Sequence, residues 1–329
     1  MSLVFEKYLP TSLSLPTCLK NHRTHFLMQQ PNLILGTAMW GWTTPRETAF
    51  ALLDEWYARG FREVDGATNY PINRQPEDFR RAENILLDWI KTHGVTDLEV
   101  MMKIGSVNNL RTPEHVLTKS FVLMMLDEYR YLFGKNLGTL MVHWDNREGA
   151  EAIGETLEAL QTAIEKGLLV GLSGIRHPEI YAALNQDFQL DFRIQIKHNV
   201  LQSNYGRYAP FHGRRRFIAY GINAGGLKLD PALYAENSSL KARGADPDNL
   251  QPQVEKLNRI VAEANRSASR MAITAMYQIG LIYAFYQPDM QGILLGVSNL
   301  EQIKTSIDFY NVLNHNDYHD VFEKISSLK

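Results

Sequence analysis

Only one cysteine, Cys18, occurs in 329 residues. An internal disulfide framework and a cysteine-based zinc site are both excluded, and a reducing, cytoplasmic setting is expected. Long apolar runs are missing as well. No uninterrupted stretch of about 18 apolar residues appears, and the opening MSLVFEKYLP has no charged segment leading into an apolar one, so neither membrane spanning nor secretion is expected. An excess of either charge is missing too: 34 Lys and Arg face 36 Asp and Glu for a formal net charge of -2, and the densest basic cluster, Arg214, Arg215 and Arg216, reads as a solvated loop rather than a phosphate clamp. No nucleic-acid partner is expected. His-x-x-x-His and Cys-x-x-Cys are absent, and His143, His177 and His198 fall on different connections, so no metal site is expected.

What is present is the composition of a globular protein. With 45% hydrophobic and 21% charged residues the chain can bury a sizeable core. Residues 1–30 show no clean period and hold Pro10 and Pro16, so they read as an N-terminal extension to a single domain over 31–329. Within that domain, short β-type runs alternate with amphipathic segments: 33–37, 62–65, 99–104, 138–143, 169–173, 192–197, 217–220 and 292–295. Several are apolar throughout, as strands buried on both faces should be. Thr44-Pro45-Arg46-Glu47 reads as a capped helix start, Thr112-Pro113 as the opening of a helix running to about Phe133, and Ser298-Asn299-Leu300-Glu301 as the cap of the last helix. Eight strands with helical crossovers imply parallel pairing and a closed (β/α)8 TIM barrel. One interval breaks the rhythm, a polar stretch at about 221–251 beyond the seventh strand, which reads as a lid or clasp at the C-terminal rim.

Three strands end in polar groups that propensity does not explain: Asp65 on the second, Lys103 on the third and His143 on the fourth. Neighbouring strands bring them to one sector of the rim, with Tyr70 on the loop beyond Asp65. Lysine is almost never buried unpaired, so Lys103 in an apolar strand needs an anion, and Asp65 is next to it. A lysinium about 4 Å from a tyrosinate, at an effective dielectric of ~20, interacts by ~4 kcal/mol, or roughly three units of tyrosine pKa before desolvation opposes it. Tyr70 then becomes a usable general acid/base, with Asp65 aiming Lys103 and His143 orienting a substrate oxygen.

With these residues in place, the chain resembles the aldo-keto reductase superfamily over roughly residues 33–313. Asp65-x-Ala67-x-x-Tyr70, Lys103 and Leu140-Met141-Val142-His143-Trp144 match its Asp-Tyr-Lys-His tetrad, and Gly36-Thr37 its first-strand signature. The resemblance implies a barrel, of a monomer type or a weak homo-oligomer, that moves a hydride between NADP or NAD and a small carbonyl or alcohol substrate. It further implies that Ser173 and Gln195 bind the nicotinamide carboxamide, Tyr220 stacks on the ring, and Asn223, Gly225 and Leu227 lie near the pyrophosphate, with Gly296, Ser298 and Gln302 on the adenosine side. Trp40, Tyr70, His143 and Trp144 would face the substrate.

The departures from the family pattern fall on the cofactor side. Gly174 stands where the family usually has Asn, Gly221 where a serine is common, and Gly296, Val297 and Ser298 where NADP-preferring members carry Arg or Lys. A 2′-phosphate without a paired cation forgoes a contact typically worth ~1.5–3 kcal/mol, which leaves NAD or a dual preference open unless Lys304 or an arginine of 214–216 substitutes. Asn69, Asn73, Arg74, Asn108 and Asn109 near the rim would suit a sugar or other hydroxylated carbonyl compound, although loops are ordinarily polar. Two alternatives remain: a cofactor-binding regulatory or sensor barrel with little activity, suggested by the altered cofactor residues, and a Schiff-base enzyme using Lys103, disfavoured because an acid partner keeps the amine protonated.

Overall fold

The computed structural model of the chain describes residues 30–328 apart from 215, 235–239, 241–245 and 267–268. Residues 1–29, which include Cys18 and nearly all of the expected extension, lie outside the described residues, as do Arg215 and part of the expected 221–251 loop. Pro31–Lys329 forms a compact unit.

Eight strands, β1 (Asn32–Gly36), β2 (Glu63–Ala67), β3 (Glu99–Ile104), β4 (Leu137–His143), β5 (Leu169–Ser173), β6 (Phe192–Lys197), β7 (Phe217–Tyr220) and β8 (Met290–Leu295), pair in sequence order and close on one another. Every pairing is parallel, including the closure of β8 on β1, so the chain is a (β/α)8 barrel. Among the described residues the α-helices are α1 (Arg46–Ala58), α2 (Arg81–His93), α3 (Lys119–Phe133), α4 (Ala150–Glu165), α5 (Pro178–Phe188), α6 (Gln251–Ala264), α7 (Met276–Phe285), α8 (Leu300–Leu313) and α9 (His319–Ser326). Among the described residues no helix is long and apolar enough to cross a membrane.

Strand alternation divides the core. Leu33, Leu35, Val64, Val100, Leu140 and Ile194 point outward into one large cluster with the helices, whereas Ile34, Met101, Met141 and Ile218 form a separate cluster inside the barrel. On α2 the buried set Ala82, Ile85, Leu86, Trp89 and Ile90 follows the 3.6-residue period, and each large member contributes about 1.5–3 kcal/mol by burial. Inside the barrel small residues make room for large ones: a Cβ on Gly171 would meet Met141 Cε at 2.5 Å, and one on Gly292 would meet Ile34 Cδ1 at 2.6 Å.

The N-terminal floor is polar. Arg193 of β6 donates to Glu63 of β2 at 2.5 Å and to Thr139 of β4 at 3.3 Å, while Asn32 of β1 donates to Glu63 at 2.9 Å. The opposite, C-terminal end of the same interior carries Asp65, Lys103, Ser173 and Gln195, so the apolar layer separates two polar ones.

Three expected helix starts need correction. The first helix begins with Pro45 as its non-helical cap and no side-chain cap bond; Thr44 is instead buried with its hydroxyl unpartnered. Residues 112–118 are loop, and α3 starts after Thr118, whose hydroxyl accepts from Phe121 N at 3.4 Å. Asn299, not Ser298, caps α8 by accepting from Gln302 N at 2.9 Å, and a further helix, α9, follows it. In each case a hydroxyl or amide of suitable type stood within a few residues of the true cap, and only the tertiary path of the loop selects between them.

Candidate active site

β2 runs two residues past Asp65, to Ala67, so Asp65 lies within the strand rather than at its end, facing into the barrel. Its backbone carbonyl accepts from Thr37 N at 3.2 Å and from Thr37 Oγ1 at 2.9 Å, which ties the end of β1 to β2 beside Gly36. Its carboxylate accepts from Lys103 Nζ, and from Gln195 Nε2 at 2.5 Å across the barrel; Gln195 Oε1 in turn accepts from Ser173 Oγ at 3.2 Å. Lys103 is fully buried, and burial pulls its pKa below the ordinary lysine value against the opposing charge and hydrogen bond of Asp65. The pairing of Lys103 with Ala67 in register explains the reach: the lysine stands one interior position above the acid.

Tyr70 is brought over this pair by a turn in which its N–H donates to Ala67 O at 3.2 Å and its carbonyl accepts from Ala82 N, the second residue of α2, at 3.3 Å. Lys103 Nζ lies 4.9 Å from the centre of the Tyr70 ring. His143, at the end of β4, presents its ring edge-on to Tyr70 with centroids 6.1 Å apart. It is 2% exposed and its Nδ1 has no partner. Burial, and then the positive charge of Lys103, hold its pKa well below the usual imidazole value, so it is neutral at physiological pH.

That shift has a stability consequence. Unfolded, the imidazole takes up a proton below about pH 6.5 while the folded one does not, so stability falls as pH drops below that value by up to ~1.4 kcal/mol per pH unit. His143→Gln is expected to flatten this part of the stability–pH curve between about pH 6.5 and 5, measured by urea unfolding; an unchanged slope would show that the folded imidazole titrates normally.

Trp144 follows with φ 57°, its N–H donating to Ser173 O at 2.9 Å and its indole 4.7 Å from the His143 ring. Gly174, also left-handed at φ 67°, explains how the indole fits: a Cβ there would lie 2.5 Å from Trp144 Cδ1 and 3.1 Å from Nε1. The indole therefore occupies the space that an asparagine side chain at 174 would enter. The next residue, Asp145, anchors this loop through Arg147 at 2.9 Å and Tyr181 Oη at 2.6 Å.

The site as built thus unites Gly36, Thr37, Asp65, Tyr70, Lys103, His143, Trp144, Ser173 and Gln195. Trp40, expected to face substrate, is fully buried in a loop closed by its bridge to Thr44. Of the rim asparagines, Asn73 donates to Asp78 at 2.6 Å, Asn109 to Gln75 O at 2.6 Å, and Asn108 to Thr112 at 2.9 Å, so these amides hold the loops after β2 and β3 in shape. Asn69, fully buried beside Tyr70, has both amide atoms unpartnered.

On the cofactor side, Tyr220 ends β7 half-buried, its phenol pushed above the ordinary value by burial. Residues 221–227 form a compact turn in which Ala224 N donates to Gly221 O, and Gly226 and Leu227 N–H both donate to Asn223 O. φ is positive at Gly221, Ala224, Gly225 and Gly226. Gly296 is exposed after β8, and Ser298 donates from both N and Oγ to Gln302 Oε1, at 2.9 and 3.1 Å. The substitute cations point elsewhere: Lys304 pairs with Glu55 at 3.7 Å, and Arg216, which pairs with Asp191 at 3.4 Å, precedes β7 and so stands at the N-terminal end of the barrel. Among the described residues no group of three or more His, Cys, Asp or Glu is arranged to hold a metal ion.

Comparison with known proteins bears on this arrangement. The pattern of the Aldo/keto reductase family matches residues 32–326. The chain is also similar to a norsolorinic acid reductase of Emericella nidulans, at 26% identity over 314 residues that cover 84% of this chain and 73% of that protein.

Proposed function

Because this chain belongs to the aldo/keto reductase family of oxidoreductases, we propose that it transfers a hydride between a nicotinamide dinucleotide and the carbonyl carbon of a small aldehyde or ketone, with Tyr70 as general acid/base. The observation that carries this reading is the buried Lys103–Asp65 pair under the Tyr70 ring with a neutral His143 beside it. The relative's name, a reductase, supports the reducing direction.

A dinucleotide suits the donor set. Gln195 uses one N–H and one lone pair within the site and keeps the others for a carboxamide, and the turn at 221–227 offers close backbone approach at its glycines. When bound, it supplies the hydride. The chain's own residues handle the proton. As negative charge develops on the substrate oxygen, Tyr70 Oη gives up its proton to it, and the charged Lys103 amine, about 5 Å from the ring, stabilises the phenolate left behind by roughly 3 kcal/mol at an effective dielectric of ~20. Asp65 keeps that amine protonated and aimed. His143, being neutral, serves as a hydrogen-bonding group at the carbonyl rather than as a cation or proton source.

We further propose that NADH is preferred to NADPH, or at least equally well bound. Lys304 pairs with Glu55, and Arg216 pairs with Asp191 ahead of β7, so neither of these described cations is aimed at a 2′-phosphate beside the segment after β8, which supports this preference. Parallel titrations with NADH and NADPH, read by tryptophan quenching, are expected to give micromolar binding with NADH at least as tight; a large preference for NADPH would contradict the assignment. The case for a hydroxylated substrate is carried by Asn69 and by the buried, unpartnered Oδ1 of Asn109, since the Asn73 and Asn108 amides serve the loops.

A further inference from the structure

Lys197 is a cation near the barrel mouth that takes no part in the proton transfer proposed above. It ends β6, two residues beyond Gln195. Gln195 points into the barrel, since it donates to Asp65 across it, so alternation places the Lys197 side chain on the same interior face, about 7 Å further toward the rim. The residue is half-buried, and no acid pairs with it among the described residues. Its stem runs beside the start of the glycine turn: a Cβ on Gly221 would lie 3.9 Å from Lys197 Cγ, and Lys197 is in register with Tyr220.

The turn it reaches is held in place from behind. Ile222 and Leu227 are buried, and Gly280 of α7 packs so closely that a Cβ there would meet Ile222 O at 2.6 Å. Within the turn the N–H groups of Ala224, Gly226 and Leu227 are spent on Gly221 O and Asn223 O, so Gly225 and Gly226 allow a ligand close to the backbone while most of the charge for an anion has to come from beside the turn. A partly desolvated ammonium beside such a turn is a site for a doubly charged, oxygen-rich group.

From this placement we infer that Lys197 is a binding residue for the diphosphate of the dinucleotide, supplying at the β6 end a cation that the segment after β8 lacks. The inference rests on the proposed nicotinamide site and deepens it. It also implies that affinity depends on the diphosphate, which NADH and NADPH share, rather than on the 2′-phosphate that separates them.

Calorimetric titration of the full chain with ADP-ribose, which carries the diphosphate without nicotinamide, and with NADH tests this. Lys197→Met is expected to weaken both by roughly tenfold or more at low salt, with a shallower dependence on salt than wild type, and Lys197→Arg to restore most of the loss. Lys197→Gln provides the same comparison should the methionine variant not fold. Binding of ADP-ribose by the uncharged variant within about twofold of wild type overturns the assignment even if turnover changes, because Lys197 would then contact substrate instead. A wild-type chain that binds neither dinucleotide overturns the assignment together with the proposed function, so the two failures are told apart by the wild type alone.

Discussion

Tyr70→Phe is expected to lower turnover by about three orders of magnitude, within the ~10²–10⁴-fold range of a positioned general acid, while dinucleotide affinity stays within a few-fold of wild type. The ring is kept, so its edge-on contact with His143 and its place over Lys103 survive, and only the proton is lost. The split between the two readouts is what identifies the role. Retained turnover would take the hydroxyl out of the mechanism; lost cofactor binding would make Tyr70 a packing residue of the site.

Removing the carboxylate beneath it should act on stability as well as rate. Asp65→Asn leaves Lys103 fully buried with no countercharge and is expected to cost about 3–5 kcal/mol in unfolding free energy, along with most activity. The deficit has a defined pH dependence. With Asp65's upward pull gone, burial depresses the folded-state pKa of Lys103 further, so between that value and the unfolded one near 10.4 the unfolded chain binds more protons and stability rises with pH. Asp65→Leu combined with Lys103→Met should recover much of the stability and none of the activity, since replacing a whole buried pair by apolar groups is often nearly neutral. Were the single variant as stable as wild type at neutral pH, the amine would be unprotonated in the folded protein, and the electrostatic support of Tyr70 would fall with it.

All eight strands were legible in the sequence because each is a short, mostly apolar run bounded by turns, and parallel strands covered on both faces leave that signature. That Asp65, Lys103, Tyr70 and His143 come together was legible for a related reason: a lysine in such a run demands an anion, and neighbouring strands limit where it comes from. Contacts across the barrel were not. Nothing local to Gln195 indicates that it donates to Asp65 130 positions away, nor that Arg193 and Glu63 meet at the floor. These pairings depend on closure and on interior alternation, which join strands far apart in sequence.

Loop residues were misread where one residue type serves two purposes. Thr44 and Thr112 resemble helix caps by type and spacing, yet one is buried without a helical partner and the other bonds Asn108 within a loop. The rim asparagines left ligand contacts open beside the ordinary loop role; the amides of Asn73, Asn108 and Asn109 hold the loops after β2 and β3 together, while both amide atoms of Asn69 and the Oδ1 of Asn109 are buried without a partner. Gly174 read as the loss of a carboxamide ligand; the fold shows that the same substitution seats the Trp144 indole. Lys197 carried a usable signal, since it has the parity of Gln195 on β6, and alternation alone would have placed it at the barrel mouth.

Hydride transfer to a carbonyl carbon is tested by following the hydride itself. Wild-type protein is incubated with NADH deuterated at C4 of the nicotinamide, in separate samples for each face, and with a panel of aldehydes and ketones; the products are then analysed by mass spectrometry. The expected product is an alcohol carrying one deuterium at the former carbonyl carbon, from one labelled face only, with almost none in the same time when Tyr70 is phenylalanine. Dinucleotide binding without labelled alcohol from any carbonyl in the panel would contradict it and leave a barrel that binds the cofactor without using it.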